Sequence, residues 1–120
     1  MPGLERINFW ENNLEGGIPI SLGNLCSLKE LNLGFNKLSG ALAVAVKNLS
    51  GCAKDSLTLG LNRFNGYLPS FIPFSSLREL DVEYNRLSGH FQDHFGNNSK
   101  LMVLNFDGNR FPQIFQDYRP

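Results

Sequence analysis

The fold is decided by residues 28–42, LKELNLGFNKLSGAL, in which apolar residues, an asparagine and a glycine stand at fixed offsets. Leu31 and Leu33 alternate with polar residues, and this period of two places both side chains on one face of a short β-strand. The amide of Asn36 carries donors and an acceptor, so it can satisfy backbone groups where the strand ends and turns inwards. Gly40 then sets the next bend.

The same pattern occurs five times along the chain. Its asparagine recurs at intervals of 24, 26, 23 and 24 residues, at Asn12, Asn36, Asn62, Asn85 and Asn109. A single repeat of this length cannot bury its own apolar face, so neighbouring repeats must cover it. The stacked asparagines are therefore predicted to form a ladder along the coil.

The repeats predict an α/β repeat solenoid in which residues 1–120 form a single domain of about five repeats without terminal caps. The expected form is a right-handed coil with a parallel β-sheet on its concave side and an irregular or 3-10 helical convex side. The strands are predicted around residues 6–10, 30–34, 57–60, 79–83 and 103–107.

The third repeat departs from the pattern. Counting back from Asn62, Lys54 occupies the position at which the other repeats begin with leucine. A lysine stem can lie along apolar surface while its amine reaches water. The sequence nevertheless predicts a local distortion of the coil at this point.

A longer signature marks the first repeat. Gly16, Ile18 and Pro19 follow the ladder asparagine, and residues 21–25 read SLGNL. These motifs resemble the plant extracellular leucine-rich repeat family, and most of all the ectodomains of receptor-like proteins of the disease-resistance type. The phrase around Cys26 and the later one around Cys52 carry the same resemblance, which covers nearly the whole chain.

The resemblance implies a leucine-rich repeat fold and a non-catalytic module that binds a peptide, protein or glycan, with a co-receptor as a further partner. The parent would be a plant cell-surface receptor-like protein, with this segment on the extracellular face of the plasma membrane, acting in defence or developmental signalling. The alternatives are a secreted inhibitor of a wall-degrading hydrolase and a truncated product without binding function. Since no signal peptide or membrane helix is visible and Met1 directly precedes a repeat in register, the chain is interpreted as an internal fragment.

The charge balance and the motifs of the chain weigh against several classes of function. Eleven basic residues balance eleven acidic ones, so no bulk charge favours nucleic acid or direct insertion into a membrane. No phosphate-binding loop or nucleophile with a nearby base is evident, so neither catalysis nor a cofactor is expected. His90 and His94 have the spacing of a metal pair on a helical turn but lack a further ligand, so we predict solvent-exposed histidines and no metal site.

The outward positions of the predicted strands form rows across the repeats, and these rows are the candidate binding surface. The predicted ligand contacts are Trp10, Glu11, Glu30, Phe35, Glu79, Asp81, Glu83 and Tyr84. Trp10 is the strongest candidate, because aromatic side chains dominate binding hot spots. The alternative interpretation is that an aromatic residue before the ladder asparagine only covers the turn.

Two further features follow from the extracellular resemblance. Cys26 and Cys52 lie one repeat apart, where their Cα atoms could approach within the range of a disulfide, so a Cys26–Cys52 bond is favoured over two free thiols. Asn48 and Asn97 begin N-glycosylation sequons, and both are predicted to lie on the outer side of the coil.

Overall fold

The computed structural model describes residues 3–67, 76–89 and 100–111. Each repeat contributes a short strand, and most add a second strand after the ladder asparagine. In chain order the elements are β1 (Arg6–Asn8), β2 (Glu15–Gly16), α1 (Ile20–Gly23), β3 (Glu30–Asn32), β4 (Lys37–Ala41), α2 (Leu42–Leu49), β5 (Ser56–Thr58), β6 (Arg63–Gly66), β7 (Glu79–Asp81), β8 (Arg86–Leu87) and β9 (Val103–Asn105).

These strands form two parallel sheets. The larger has the order β1-β3-β5-β7-β9, and the smaller has the order β2-β4-β6-β8. In the larger sheet Leu31 pairs with both Ile7 and Leu57, and Leu80 pairs with Leu57 and Leu104. Equivalent positions of the repeat therefore stand side by side, which confirms the predicted fold class and the predicted rows.

The apolar core lies between the two sheets and the convex side. Leu31, Leu33, Leu80 and Val82 are at most 2% exposed, so the inner face of the larger sheet is as predicted. The leucines that open the second and fourth repeats, Leu28 and Leu77, are fully buried as well. In the first repeat Phe9 remains 46% exposed, because no described repeat precedes it to cover that face.

The ladder asparagines connect successive repeats through both ends of the side-chain amide. Asn62 Nδ2 donates to the carbonyl oxygen of Leu33 in the preceding repeat at 3.0 Å and to that of Leu59 in its own at 3.1 Å. Its Oδ1 accepts the backbone N–H of Leu38 at 3.0 Å. Asn36, Asn85 and Asn109 make the equivalent contacts, whereas the amide nitrogen of Asn12 donates only to Trp10 within its own repeat. Apart from Asn12, each ladder asparagine thus forms hydrogen bonds with backbone groups of two repeats, and these groups lie where water does not satisfy them.

The distortion expected at Lys54 is absent from the sheet, and that prediction is wrong. β5 pairs in continuous register with β3 and β7. The Lys54 stem occupies the leucine position, with the residue fully buried, and Nζ donates to the carbonyl oxygen of Cys52 at 3.4 Å. The amine therefore does not reach solvent. Burial is the main cause that lowers the pKa of the Lys54 amine, and the positive charge of Lys29 adds to it.

The convex side is more regular than the sequence predicted. Residues 42–49 form the α-helix α2 instead of an irregular or 3-10 segment, with Leu42, Ala45, Val46 and Leu49 facing the core at helical spacing. The smaller sheet was also not predicted, because its strands are as short as two residues and begin directly after the ladder asparagine. None of the helices in the described ranges has the length and apolar character needed to cross a bilayer.

A disulfide joins the segments that follow α1 and α2 on this side. Cys26 and Cys52 are bonded, with their Cα atoms 5.1 Å apart. Gly23 lies so close to α2 that an added Cβ would come within 2.1 Å of the carbonyl oxygen of Asn48. The disulfide and this close backbone approach hold the first and second repeats together on the convex side.

Candidate binding surface on the concave sheet

The first outward row of the larger sheet runs across the start of the strands. Backbone register aligns Arg6, Glu30, Ser56, Glu79 and Val103. The side chains of Arg6 and Glu30 form an ion pair, although 79% of the Arg6 and 46% of the Glu30 side chain is exposed. Such an exposed pair contributes little to stability, so both charges remain accessible to a partner.

A second charged row precedes the first and was missed by the sequence analysis, which considered only positions inside the predicted strands. Neighbours across the repeats are linked by the backbone: Lys29 N–H donates to the carbonyl oxygen of Glu5, Asp55 N–H to that of Lys29 and Arg78 N–H to that of Asp55. The charge sign alternates from repeat to repeat along Glu5, Lys29, Asp55 and Arg78. These residues and the first row line a groove of about 440 Å³. A partner therefore meets alternating charges rather than a field of one sign.

The next row of side chains, which begins at Asn8, accepts hydrogen bonds from backbone N–H groups in most repeats. The side-chain oxygens of Asn8, Asn32 and Asp81 each accept the N–H two residues further on, at 3.1, 3.0 and 3.0 Å. Asn105 makes the same contact at 3.5 Å. Asp81 was predicted as a ligand contact, but one of its carboxylate oxygens has this local structural role. The signal in the sequence is an asparagine or aspartate that directly follows the inward leucine of the strand.

The aromatic side chains form a cluster at the end of the strands. The rings of Trp10 and Phe35 meet edge to face with centroids 5.8 Å apart, and they remain 41% and 47% exposed. The indole lies directly over Gly34, where a Cβ would come within 2.6 Å of the ring. The absence of a side chain at Gly34 therefore allows the Trp10 ring to lie over the backbone and to meet Phe35 edge to face.

The residue before each ladder asparagine has a left-handed backbone. The φ values are 61° at Glu11, 55° at Phe35, 55° at Leu61, 53° at Tyr84 and 73° at Gly108. Left-handed backbone costs a bulky residue about 1–3 kcal/mol unless its surroundings impose it. Here the ladder imposes the turn, and Phe35, Leu61 and Tyr84 project outward with 36–55% of their surface exposed. The predicted contacts at these positions are thus displayed on a rigid backbone.

The predicted acidic contacts Asp81 and Glu83 lie together with Asp107 near the fifth repeat. Asn105 Nδ2 donates to Glu83 Oε2. Partial burial is the main cause that raises the pKa of the Glu83 carboxyl, and contacts with Asp81 and Asp107 add to it, while the Asn105 hydrogen bond opposes them. In the described part of the chain, no group of three or more histidine, cysteine or acidic residues is arranged to hold a metal ion.

Of the two predicted N-glycosylation sites, the structure describes Asn48 but not Asn97. Asn97 lies outside the described residues, as do His90 and His94. Asn48 is half-buried in α2, and its Nδ2, the atom to which a glycan would be attached, donates to the carbonyl oxygen of Ile18 at 2.9 Å. A sugar on that nitrogen would have to displace this contact, so the structure weighs against Asn48 as a glycosylation site.

The repeat geometry defines a leucine-rich repeat protein, and sequence comparison agrees. Family profiles described as Leucine Rich Repeat match residues 3–25, 76–98 and 24–43. The chain belongs to the plant leucine-rich repeat family, in which the curated proteins similar to it are receptor-like proteins. Receptor-like protein 32 of Arabidopsis thaliana is 38% identical over 114 residues, which is 95% of this chain and 13% of that protein.

Solved structures place the fold in the same family. A TDR receptor has a TM-score of 0.78 and 37% identity over 90% of this chain and 18% of its own. The Arabidopsis receptor kinase HAESA, solved with the peptide hormone IDA and the co-receptor SERK1, has a TM-score of 0.76 and 25% identity over 92% of this chain and 18% of its own. The chain therefore spans only a small part of the length of the proteins it matches.

Proposed function

We propose that this segment is a non-catalytic binding module of a plant cell-surface receptor-like protein and that its concave face binds an extended peptide. The observation that carries the proposal is the exposed Trp10–Phe35 pair, held over Gly34 at the end of the strands. Large aromatic side chains on a rigid backbone supply most of the affinity in protein interfaces at little entropic cost.

The groove supports a peptide as the partner. Strands of a sheet are about 4.8 Å apart, and an extended peptide advances about 3.3 Å per residue, so three peptide residues span about two repeats. The charge alternation along Glu5, Lys29, Asp55 and Arg78 then offers an oppositely charged contact to either sign of peptide side chain. Acidic contacts at Glu30, Glu79 and Glu83 favour a neutral or mildly basic peptide.

The relatives support the receptor context. HAESA is described in complex with a peptide hormone and a co-receptor. By analogy, we propose that the parent lies at the plasma membrane with this segment on its extracellular face, and that it pairs with a co-receptor in defence or developmental signalling. The proposal includes a peptide and a co-receptor as partners, and no nucleic acid.

The test is selection of peptides from a random display library against the 120-residue chain. Affinities of the selected peptides are then measured for Trp10→Ala, Glu30→Ala and Tyr67→Ala. Tyr67 is the matched control, an aromatic residue that is 59% exposed next to the smaller sheet. We expect Trp10→Ala to weaken binding about tenfold or more, Glu30→Ala to have a smaller effect and Tyr67→Ala to have none. Unchanged affinity in Trp10→Ala and Glu30→Ala, with loss in Tyr67→Ala, would refute the concave site.

A further inference from the structure

A row of positive charges lies on the flank of the coil, outside the concave face. The residue that follows the ladder asparagine is basic in four successive repeats, at Lys37, Arg63, Arg86 and Arg110. All four are exposed. We call these four residues the cation row.

The backbone holds the cation row in a regular geometry. Each cation precedes a buried apolar residue, so the alternation of the smaller sheet turns the cations outward. Arg63 pairs with Ser39, two residues beyond Lys37, and Arg86 pairs with Asn65, two residues beyond Arg63. A stagger of two residues between adjacent strands separates successive cations by about 8 Å at the Cα atoms.

Within the described part of the chain, no ion pair neutralises the cation row. Among residues 3–67, 76–89 and 100–111, Arg6 and Glu30 form the one ion pair, and no member of the cation row takes part. Glu15 lies opposite Lys37 in the sheet register, whereas Arg63 lies opposite Ser39 and Arg86 opposite Asn65. Because the whole chain has a net charge of zero, the balancing acids lie elsewhere, many of them on the concave face.

The side chains between the cations indicate the chemistry of the partner. Ser39 and Asn65 lie beside Arg63 and Arg86 and offer hydrogen bonds to hydroxyl groups. The apolar residues within the row, such as Phe64 and Leu87, are buried. Tyr67 beside the row is exposed, but a single ring does not provide the series of rings on which successive nucleic-acid bases stack. Arginine also pairs with carboxylates through two parallel hydrogen bonds.

We propose that the cation row binds a linear carboxylated polysaccharide, which runs across the repeats along the flank. The regular spacing of about 8 Å matches a polymer with evenly repeated charge better than the irregular acidic patch of a folded protein. Its hydroxyl groups meet Ser39 and Asn65 between the carboxylate contacts. This site is separate from the concave face, so both surfaces can be occupied at once.

Binding of polygalacturonate to the 120-residue chain at low salt tests the proposal, with uncharged galactan as the polymer control. The row variant carries Arg63→Gln and Arg86→Gln. The matched control carries Lys47→Gln and Lys100→Gln, which removes the same charge from exposed positions outside both the cation row and the concave rows. We expect the row variant to bind about five- to tenfold more weakly, as expected for two lost ion pairs, and the control to bind as the parent does. A third variant with Arg63→Lys and Arg86→Lys should recover most of the affinity, because it keeps the charge.

Equal losses in the row variant and its control would show that only net charge matters and would overturn the proposal. Binding of galactan as tight as that of polygalacturonate would do the same. If poly-glutamate binds more tightly than polygalacturonate and shows the same dependence on Arg63 and Arg86, the partner is an acidic polypeptide and the polysaccharide proposal is wrong. Far-UV circular dichroism checks that every variant keeps its fold. None of these outcomes depends on whether a peptide binds the concave face.

Discussion

The side-chain amide of Asn62 donates to the carbonyl oxygen of Leu33, one repeat earlier, at 3.0 Å. The same amide nitrogen also reaches carbonyl oxygens within its own repeat, and the residue is only 8% exposed. One side chain therefore closes the turn of its own repeat and fastens that turn to the preceding one. The arrangement makes each inner repeat dependent on its neighbour.

Replacing Asn62 should be among the most damaging single changes in the chain. Asn62→Ala leaves the Leu38 N–H without its side-chain acceptor and removes one of the two amide donors, Asn62 and Asn36, of the Leu33 carbonyl in a buried setting. We expect a loss of about 3 kcal/mol in the free energy of unfolding. Urea unfolding followed by circular dichroism measures it, with the exposed Asn65→Ala as control. A loss in Asn62→Ala no greater than that in Asn65→Ala would contradict the proposed role of the ladder.

Lys54 should destabilise the fold in a pH-dependent way. Its pKa is lowered in the folded state, so the unfolded chain binds more protons, and stability rises as the pH increases from the folded pKa towards the ordinary lysine pKa of 10.5. Lys54→Met keeps the stem but removes the charge, and we expect it to raise the free energy of unfolding at pH 7 by about 1 kcal/mol. It should also flatten the rise between neutral and alkaline pH in urea unfolding series.

The exposed Lys47→Met is the control for Lys54→Met, since it removes a charge that is already solvated. If Lys54→Met instead lowers the free energy of unfolding by as much as a cavity-forming substitution does, the hydrogen bond from the amine to the Cys52 carbonyl outweighs the cost of burying the amine.

The bond between Cys26 and Cys52 should form when the chain is produced in an oxidising compartment. Titration of the denatured, unreduced protein is expected to find no free thiol. The double variant Cys26→Ser and Cys52→Ser opens a loop of 26 residues, which should lower the free energy of unfolding by about 3 kcal/mol through chain entropy. Two titratable thiols in protein secreted through such a compartment would refute the prediction.

The two sequons should behave differently in a secretory plant host. Asn48→Gln is expected to leave the electrophoretic mobility unchanged and to lower stability by about 1 kcal/mol, because it loses the bond to the Ile18 carbonyl. Asn97→Gln is expected to remove a glycan, and treatment with an endoglycosidase provides the reference shift. A mobility change in Asn48→Gln alone would show that the half-buried amide is glycosylated.

The sequence was sufficient for the fold because the repeat constrains it at several levels. The spacing of Leu31, Leu33 and Asn36 specifies a strand, its inner face and its exit, and the recurrence specifies the stacking. Lys54 was misjudged because sequence reasoning treated a charge at a core position as a distortion. The structure shows that the stem fills the leucine volume while the amine finds a backbone carbonyl.

The binding surface was predicted less completely. The outward positions inside each strand follow from the two-residue period of the sequence. The sequence alone therefore placed Glu30 and Glu79 in the same row of the sheet. The row that contains Glu5 lies just outside the strands, and its lateral alignment depends on backbone hydrogen bonds that no pattern reveals. The local bond of Asp81 was missed because its position was interpreted only as outward-facing, although an asparagine or aspartate directly after the inward residue of a strand indicates it. The contact of Trp10 with Gly34 depends on ring orientation, which the sequence does not specify.

That contact provides a test of how the aromatic pair is held. A methyl group at position 34 would lie 2.6 Å from the Trp10 ring, so Gly34→Ala should push the indole away from Phe35. Gly17→Ala is the matched control, because a Cβ there meets nothing within 4 Å.

Trp10 is the single tryptophan of the chain, so its fluorescence reports this contact without interference. We expect acrylamide to quench Trp10 more strongly in Gly34→Ala than in the parent or in Gly17→Ala, because the displaced ring loses its cover. Peptides selected against the parent should also bind Gly34→Ala several-fold more weakly, although every aromatic residue is still present, since the ordered presentation of the pair is lost. Unchanged quenching combined with unchanged affinity would mean that Gly34 does not position Trp10.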